Sequence, residues 1–255
     1  MLKFLMRAFC LVAGLGIVVS GPDRAEAVIV IDAFDTDQSA SVSGPPDGFQ
    51  VAQSFVAAPE ALGGERDVEL FRFFTSGTKT MDVNLTTSSL LTYTSTPDTL
   101  GRLDLFWDGA DGSVDDVDVT GLGGVDLTES GTSIGLVLRG TANLGATLEF
   151  LIYSDADSIS FGSVTFPVDP TLTLQEFVIP FSNFTTYGVN PADFTKVGAI
   201  SLGIHGGDSV LALDFIRTGA DASGPVVPEP SSLLLLGSGL LGLAGCRRRQ
   251  TPPTA

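Results

Sequence analysis

The sequence predicts an all-β protein: an antiparallel β-sandwich of the jelly-roll type, formed by the central part of a 255-residue chain. Three observations favour this fold class. Short runs rich in β-branched and aromatic residues recur between clusters of Gly, Asp, Ser, Asn and Pro. Apolar and polar residues alternate in Ala199–His205 and Ser209–Arg217, as in half-buried strands. Seventeen phenylalanines suit the space between two packed sheets.

The strands follow from these runs one by one. We predict them at Val28–Phe34, Phe49–Ala57, Val68–Thr75, Lys79–Thr87, Leu103–Trp107, Ile134–Leu138, Thr147–Tyr153, Ser158–Phe166, Thr173–Pro180, Gly198–His205 and Ser209–Arg217. Asn190–Phe194 is the best candidate for one helical turn. The predicted organisation is a signal peptide (1–27), the sandwich (28–218), a linker (219–227), a sorting and anchoring segment (228–249) and a disordered tail (250–255).

The N-terminal segment has the order of a secretory signal peptide. Lys3 and Arg7 form a basic region, Ala8–Val19 is apolar, and Ala25 and Ala27 supply the small residues of a cleavage site. A transmembrane helix is the alternative, but a span needs roughly 20 apolar residues, and this run is shorter. We therefore predict cleavage after Ala27 and export of the body.

The C-terminal segment combines a proline-containing spacer, a short apolar run and a basic stop. Pro228, Glu229 and Pro230 keep the spacer extended. The apolar run is predicted to form a short membrane helix, with Leu233, Leu236, Leu240 and Leu243 among its members. At 1.5 Å per residue it is about 20 Å long, short for a bilayer. Arg247, Arg248 and Arg249 are expected to stay on the cytoplasmic side, which leaves the body outside.

This order of elements resembles the PEP-CTERM sorting domain of Gram-negative bacteria. The resemblance implies that an exosortase recognises Pro228–Pro230, cuts the chain at the inner membrane, and delivers the body to the outer surface or extracellular matrix. It also implies an association with exopolysaccharide and biofilm. Leu243–Cys246 is similar to a lipobox, but lipoboxes operate at N-terminal signals. A glycosylphosphatidylinositol signal does not normally continue into an arginine cluster.

The body between the two segments is strongly acidic and contains no cysteine. It holds 27 of the 30 acidic side chains and seven of the 13 basic ones, while both cysteines, Cys10 and Cys246, lie in the end segments. Such a charge repels nucleic acid, so we expect no nucleic-acid partner. Without a disulfide, stability must come from the core and from any bound cation.

A second resemblance involves the later part of the body. Leu174–Phe184, with its Ile-Pro-Phe-x-x-Phe order, is followed by Phe194–Ile200 and then by Leu211–Ile216. This order resembles galactose-binding-like jelly rolls, including carbohydrate-binding modules. The resemblance implies that the first and last strands are neighbours. It also implies a structural Ca²⁺ close to Asp32, Asp35 and Asp214, and extracellular polysaccharide as the partner.

Two further sets of residues are candidates for binding. Asp108–Asp118 is the densest aspartate loop, but aligning Asp111 and Gly112 with an EF-hand leaves Trp107 and Gly109 at ligand positions, which favours a solvated hairpin connection over a calcium loop. For stacking on a sugar ring the aromatic candidates are Trp107, Tyr93, Tyr153 and Tyr187. Trp107 ends an apolar strand, which favours its burial.

Residue sets for catalysis are poorly represented, and we predict a non-enzymatic protein with no catalytic residues. His205 is the sole histidine, which excludes sites that need two, and its position predicts a structural role at a strand end. Glu149 and Glu176 are the carboxylates to consider for glycoside hydrolysis. The leading hypothesis is an exported surface or matrix protein that binds glycan. The alternatives are a purely structural or adhesive component and a glycoside-active enzyme.

Overall fold

The computed structural model describes residues 28–44, 49–73, 77–83, 89–96, 100–129, 133–205 and 210–219. All of them belong to one compact unit, Glu26–Pro225. The signal-cleavage residues Ala25 and Ala27 and the whole C-terminal segment lie outside the described residues. In the part of the chain that is described, no helix has the length and apolar character needed to cross a membrane.

Fourteen strands are present in this described part. In chain order they are β1 (Val30–Asp32), β2 (Gln38–Gly44), β3 (Phe49–Ala57), β4 (Glu65–Phe73), β5 (Gly77–Val83), β6 (Leu91–Ser95), β7 (Gly101–Trp107), β8 (Gly135–Ala142), β9 (Ala146–Tyr153), β10 (Ile159–Phe166), β11 (Gln175–Pro180), β12 (Thr185–Thr186), β13 (Ala199–His205) and β14 (Val210–Gly219). A single 3₁₀ turn, Phe181–Asn183, follows β11.

The strands form two seven-stranded sheets in which every strand pairing is antiparallel. Sheet 1 has the order β11-β8-β14-β6-β5-β2, with β1 paired to β14, and sheet 2 has the order β12-β10-β9-β13-β7-β4-β3. The predicted antiparallel β-sandwich is confirmed. The expectation that the first and last strands are neighbours is confirmed as well, since Val30 lies opposite Arg217.

The core lies between the sheets because successive side chains of a strand point to opposite faces. On β9 the residues Leu148, Phe150 and Ile152 are fully buried, while the residues between them are only half-buried. The phenylalanines fill this core only in part. Phe34, Phe150 and Phe166 are buried, and Phe177, Phe181, Phe184 and Phe194 are partly buried and pack against it. Six others lie outward on sheet 2: Phe49, Phe55, Phe71, Phe73, Phe106 and Phe161.

Two local predictions are wrong. Residues 190–194 form no helical turn, because Asn190 bridges to Ser158 and the Asp193 carboxylate accepts hydrogen bonds from the backbone N–H and the hydroxyl of Thr195. The chain after β7 is not a hairpin connection, because β7 belongs to sheet 2 and the next strand, β8, belongs to sheet 1. The aspartate loop is therefore the start of a long crossing between the sheets.

Candidate functional site

Asp32, one of the three predicted calcium ligands, is engaged by protein donors in the core. Its carboxylate accepts hydrogen bonds from Arg66 Nε at 2.6 Å and Nη2 at 2.8 Å, and from the indole N–H of Trp107 at 2.9 Å. The backbone N–H of Phe34 donates a fourth, at 2.7 Å. These donors use the lone pairs that a metal ion would need. The expectation that Asp32 holds a cation is therefore corrected.

The other two predicted ligands are not assembled with Asp32 either. Asp35 is exposed, and Asp214 lies 3.0 Å from Arg139 Nη1 at a β-bulge of β14. The described residues contain one group of three acidic side chains with ligand atoms close together, and it includes none of these three. The sequence resemblance placed the acidic residues near paired strands, but it could not show which carboxylates were already hydrogen-bonded.

The aromatic candidates divide into buried and accessible ones. Trp107 and Tyr93 are fully buried, so neither can stack on a sugar; the burial favoured for Trp107 is confirmed. Tyr153 is half-buried, and Tyr187 is 67% exposed. Both lie on the outer side of sheet 2, so this face carries the accessible aromatic candidates.

The centre of this face is polar, and we call it the polar groove: Arg102 and Asp104 of β7, Gly203 and His205 of β13, and Glu149 of β9. Gly203 lies in register with Asp104 on one side and Glu149 on the other. Two strand spacings therefore separate the carboxylate-bearing backbones, about 10 Å. With no side chain at Gly203, the Asp104 carboxyl and the His205 imidazole lie over it, at 3.2 and 3.5 Å from where a Cβ atom would be, and Asp104 is only 4% exposed.

Two close side-chain contacts hold the walls of the polar groove. Arg102 Nε lies 2.6 Å from Asp104 Oδ2, and His205 Nε2 lies 3.0 Å from Glu149 Oε2. Burial raises the pKa of Asp104 to about 6, although Arg102 and His205 favour its charged form. The accessible groups of the groove are the guanidinium of Arg102, the imidazole of His205 and the carboxylate of Glu149, which are donors and acceptors suited to hydroxyl groups, while Asp104 lies beneath them.

Aromatic side chains flank the polar groove on both sides. The tyrosine flank comprises Tyr153, Phe161 and Tyr187, with the rings of Phe161 and Tyr187 at 6.3 Å. Burial raises the pKa of Tyr153, whose hydroxyl group shares a hydrogen bond with Ser201. The phenylalanine flank comprises Phe49, Phe71 and Phe73, stacked at centroid distances of 5.6 to 6.3 Å.

The flanks and the groove together span most of sheet 2. Phe71 on β4 and Phe161 on β10 are four strand spacings apart, about 19 Å. Arg102 links the two regions, since its guanidinium carbon lies 5.5 Å from the centre of the Phe71 ring. A linear ligand of several rings could lie across these strands with its faces on aromatic carbon and its edges on polar groups.

The carboxylate pair considered from the sequence is not a pair. Glu149 lies on the outer face of sheet 2, whereas Glu176 lies on the outer face of sheet 1, beside Arg139. The whole sandwich separates them. His205 lies at the end of β13, where a structural role was predicted, and its contact with Glu149 makes it part of the polar groove.

Comparison with known proteins identifies the C-terminal segment. Residues 226–249 match the PEP-CTERM protein-sorting motif. This motif indicates an exported protein that an exosortase processes at the membrane, which agrees with the predicted tail. No curated protein sequence matches the chain.

Solved structures with similarity to the body include carbohydrate-binding proteins. The family 11 carbohydrate-binding module from Clostridium thermocellum, in complex with a β-1,3-1,4-mixed-linked tetrasaccharide, is 14% identical; the match covers 76% of this chain and 95% of that chain, with a TM-score of 0.36. A family 29 carbohydrate-binding module complexed with mannohexaose is 10% identical (79% and 98% covered, TM-score 0.36). The agarase AgWH50C is 14% identical (77% and 25% covered, TM-score 0.41).

Proposed function

We propose that this protein is a non-catalytic polysaccharide-binding protein, which an exosortase delivers from the inner membrane of a Gram-negative bacterium to its outer surface or matrix. The polar groove between two aromatic flanks is the observation that carries the binding part of this proposal. Association with exopolysaccharide in a biofilm is the setting in which such a protein would act.

The chemistry of the outer face of sheet 2 supports sugar recognition. A pyranose has an apolar face, which stacks on aromatic rings, and an equatorial edge of hydroxyl groups, which needs donors and acceptors. Tyr187 and Phe161 provide the ring faces, and the accessible side chains Arg102, His205 and Glu149 provide the polar contacts. Because the body is strongly acidic, we expect a neutral polysaccharide rather than an anionic one.

A binding experiment on a panel of neutral and anionic polysaccharides tests this proposal. Purified protein should be retarded by one or more neutral polysaccharides in affinity electrophoresis. Tyr187→Ala and Phe161→Ala should each weaken binding by about fivefold, since stacking on one aromatic ring contributes on the order of 1 kcal/mol. Phe215→Ala, on the outer face of sheet 1, is the matched control and should bind like the wild type. Absence of binding across the panel would contradict the proposal.

Two other functions remain testable with the same protein. A structural or adhesive component would bind none of the polysaccharides and would self-associate, which sedimentation velocity measures. A glycoside hydrolase would use Asp104, with its raised pKa, and Glu149 on the other side of Gly203, although Asp104 is only 4% exposed. Release of reducing sugar by the wild type, abolished in Asp104→Asn, would support it.

The sorting part of the proposal has its own test. Mass spectrometry of the native protein from its bacterium should find a C-terminus upstream of Arg247, and replacement of Pro228, Glu229 and Pro230 by alanine should leave the tail attached. An unprocessed C-terminus at Ala255 in the wild type would contradict exosortase processing. This result is independent of whether the polar groove binds a glycan.

A further inference from the structure

The chain that leaves β7 folds back against the outer face of sheet 2 and brings acidic residues together there. Asp108 and Asp111 belong to this loop, while Glu65 and Asp67 point outward from β4. One carboxylate oxygen from each of Glu65, Asp67 and Asp111 lies within 4.8 Å of the others. Asp108 is next to them, and its charge acts on Asp67. We call these four residues the acid pocket.

Two of the carboxyl groups in the acid pocket are buried and receive no hydrogen bond on three of their four oxygens from a donor of another kind. Asp67 is 1% exposed, and no N–H or hydroxyl group of the described residues donates to either of its carboxyl oxygens. Asp108 is 2% exposed, and its Oδ1 atom likewise receives no such bond. The two carboxyl groups contact each other and can share a proton. Leaving a buried carboxylate charged and unpaired costs several kcal/mol, so native proteins pair such a group, protonate it or bind a metal with it.

The other atoms of the pocket are held in place by the loop backbone. Gly112 N–H donates to Glu65 Oε1 at 2.8 Å, Ser113 N–H to Asp111 Oδ1 at 2.8 Å, and Asp118 N–H to Asp108 Oδ2 at 2.9 Å. Each of these bonds uses one carboxylate oxygen and leaves the second one available.

The surroundings of Asp67 contain no charge that neutralises it within the described residues. Burial, followed by the carboxylates of Asp108 and Glu65, raises the pKa of Asp67 to about 8. Arg66, its neighbour in sequence, points to the opposite side of the strand, where it pairs with Asp32 in the core. In the absence of a cation Asp67 is therefore mostly protonated at neutral pH, and a cation that binds in the pocket would displace this proton.

We propose that Glu65, Asp67, Asp108 and Asp111 bind a calcium ion that holds the loop after β7 against sheet 2. The ligands are all oxygen atoms, the loop is irregular, and several carboxylates converge, as Ca²⁺ requires for its six to eight ligands. Backbone carbonyls and water complete the coordination. Because two ligands come from a strand and two from a loop, no contiguous motif marks the site in the sequence.

This site differs from the calcium position implied by the sequence resemblance, and it does not depend on glycan binding. Calcium alone is therefore the probe. Titration calorimetry of the full-length protein with CaCl₂ should show one site. Thermal unfolding in CaCl₂ rather than EDTA, at constant ionic strength, should raise Tm by roughly 5 to 10 °C at saturation. MgCl₂ should bind at least tenfold more weakly, since Mg²⁺ demands a regular octahedral site.

The Tm of the variant Asp67→Asn distinguishes a metal ligand from a structural residue. Loss of a structural residue lowers Tm without calcium, whereas loss of a metal ligand does not. Without calcium its Tm should equal or exceed that of the wild type, because the amide is neutral and, unlike the buried carboxyl, needs no proton to be so. With calcium its Tm should not rise. Asp111→Asn, at an exposed position, should fold normally and bind calcium at least tenfold more weakly. Asp35→Asn is the matched control for loss of one negative charge, and its response to calcium should be unchanged.

Four results would overturn the proposal. They are no heat of binding in the wild type, a full calcium response in Asp67→Asn, a lower Tm of Asp67→Asn in EDTA, and Mg²⁺ affinity equal to that for Ca²⁺. A failure of glycan binding together with a normal calcium response would remove the proposed function and leave this site intact.

Discussion

The guanidinium group of Arg66 organises the most strongly hydrogen-bonded part of the core. It forms two hydrogen bonds to Asp32, one to Glu60 at 3.1 Å and one to the Thr36 carbonyl at 3.2 Å, and it lies 5.2 Å from the centre of the Phe34 ring. The planar fork of an arginine suits such bidentate pairing, and lysine would not replace it. This cluster ties β1 to β4 and thus joins the two sheets.

Removal of this arginine should therefore destabilise the protein strongly. Arg66→Met leaves Asp32 buried and charged, and we expect the free energy of unfolding to fall by about 3 to 5 kcal/mol in urea denaturation. The matched control is Arg139→Met, which breaks a partly exposed pair with Asp214. That loss should be below about 1 kcal/mol. Equal losses in the two variants would show that burial does not determine the strength of these pairs.

The raised pKa of Asp104 makes the stability of the folded protein depend on pH. Its pKa is raised from 3.8 to about 6, so the folded protein holds this proton more tightly than the unfolded chain. Its contribution to stability is complete below about pH 4 and is lost as the pH rises through about 6. The total is on the order of 3 kcal/mol.

Urea denaturation between pH 4 and pH 7 measures this contribution. Asp104→Asn cannot titrate, so its free energy of unfolding should decrease less over this range than that of the wild type. Other acids contribute equally to both proteins, so the difference between their changes in free energy of unfolding reports Asp104 alone. Parallel curves for the two proteins would show that Asp104 titrates normally.

At the scale of the elements, glycines control the loop that forms the acid pocket. Gly109 has a φ of +106°, and a Cβ atom there would lie 2.8 Å from the Gly121 carbonyl oxygen. A Cβ atom on Gly121 would collide with the carbonyl oxygen of Asp108. The two ends of the segment therefore approach each other more closely than side chains permit.

Gly121→Ala should consequently force the base of this loop apart. We expect a loss of about 2 to 3 kcal/mol of stability, the upper part of the range for overpacking, because the clash is with backbone atoms. Gly123→Ala, where a Cβ atom meets nothing within 4 Å, is the control and should lose only the cost of its φ of +70°, about 1 kcal/mol. Thermal unfolding of both variants compares them. A larger loss in Gly123→Ala would contradict this description of the loop.

The strands that could be predicted from the sequence are those with strong local signals. Phe49–Ala57 was predicted with its observed bounds, and most other strands within a few residues. β2 was missed because Gln38–Gly44 presents only two small apolar side chains, Ala40 and Val42, to the core. β6 and β12 are short. Alternation alone could not indicate pairing partners, because those depend on contacts far apart in sequence.

The β-bulge in β14 illustrates a second limit. Alternation predicts that Leu211, Leu213 and Phe215 share one face, but the register shifts at Asp214 and places Ile216 in the core. Phe215 then lies outward, with the Arg217 guanidinium carbon 5.2 Å from its ring centre. An extra residue in a strand reverses every later side chain, and no composition signal marked it.

The proposed binding face could not be predicted either, because it combines residues that are far apart in the sequence. Alternation does place Arg102 with Asp104, and Glu149 with Tyr153, on single strand faces. Their assembly requires β13 to lie between β7 and β9, which brings chain positions near 103, 149 and 203 together. The acid pocket likewise combines β4 with a distant loop. The end segments, in contrast, were predictable because their signals are contiguous.

At the scale of the whole molecule, charge opposes compactness. The body between the end segments holds 27 acidic and seven basic side chains, and its sheets present carboxylates on both outer faces. Self-repulsion of this size favours solubility but destabilises a compact fold. Monovalent salt screens such repulsion, since the Debye length falls from about 30 Å at 0.01 M to about 3 Å at 1 M.

Tm should therefore increase with NaCl concentration between 0.01 and 0.5 M, and most of the increase should occur below about 0.15 M, where the Debye length changes most. Scans in EDTA exclude a contribution from calcium bound in the acid pocket. A parallel series with choline chloride tests whether any monovalent cation raises Tm equally. If specific calcium binding were the sole electrostatic contribution, Tm in EDTA would not depend on NaCl. A decrease in Tm on adding salt would mean that attractive ion pairs, such as Arg66 with Asp32 and Arg102 with Asp104, outweigh the repulsion among the acids.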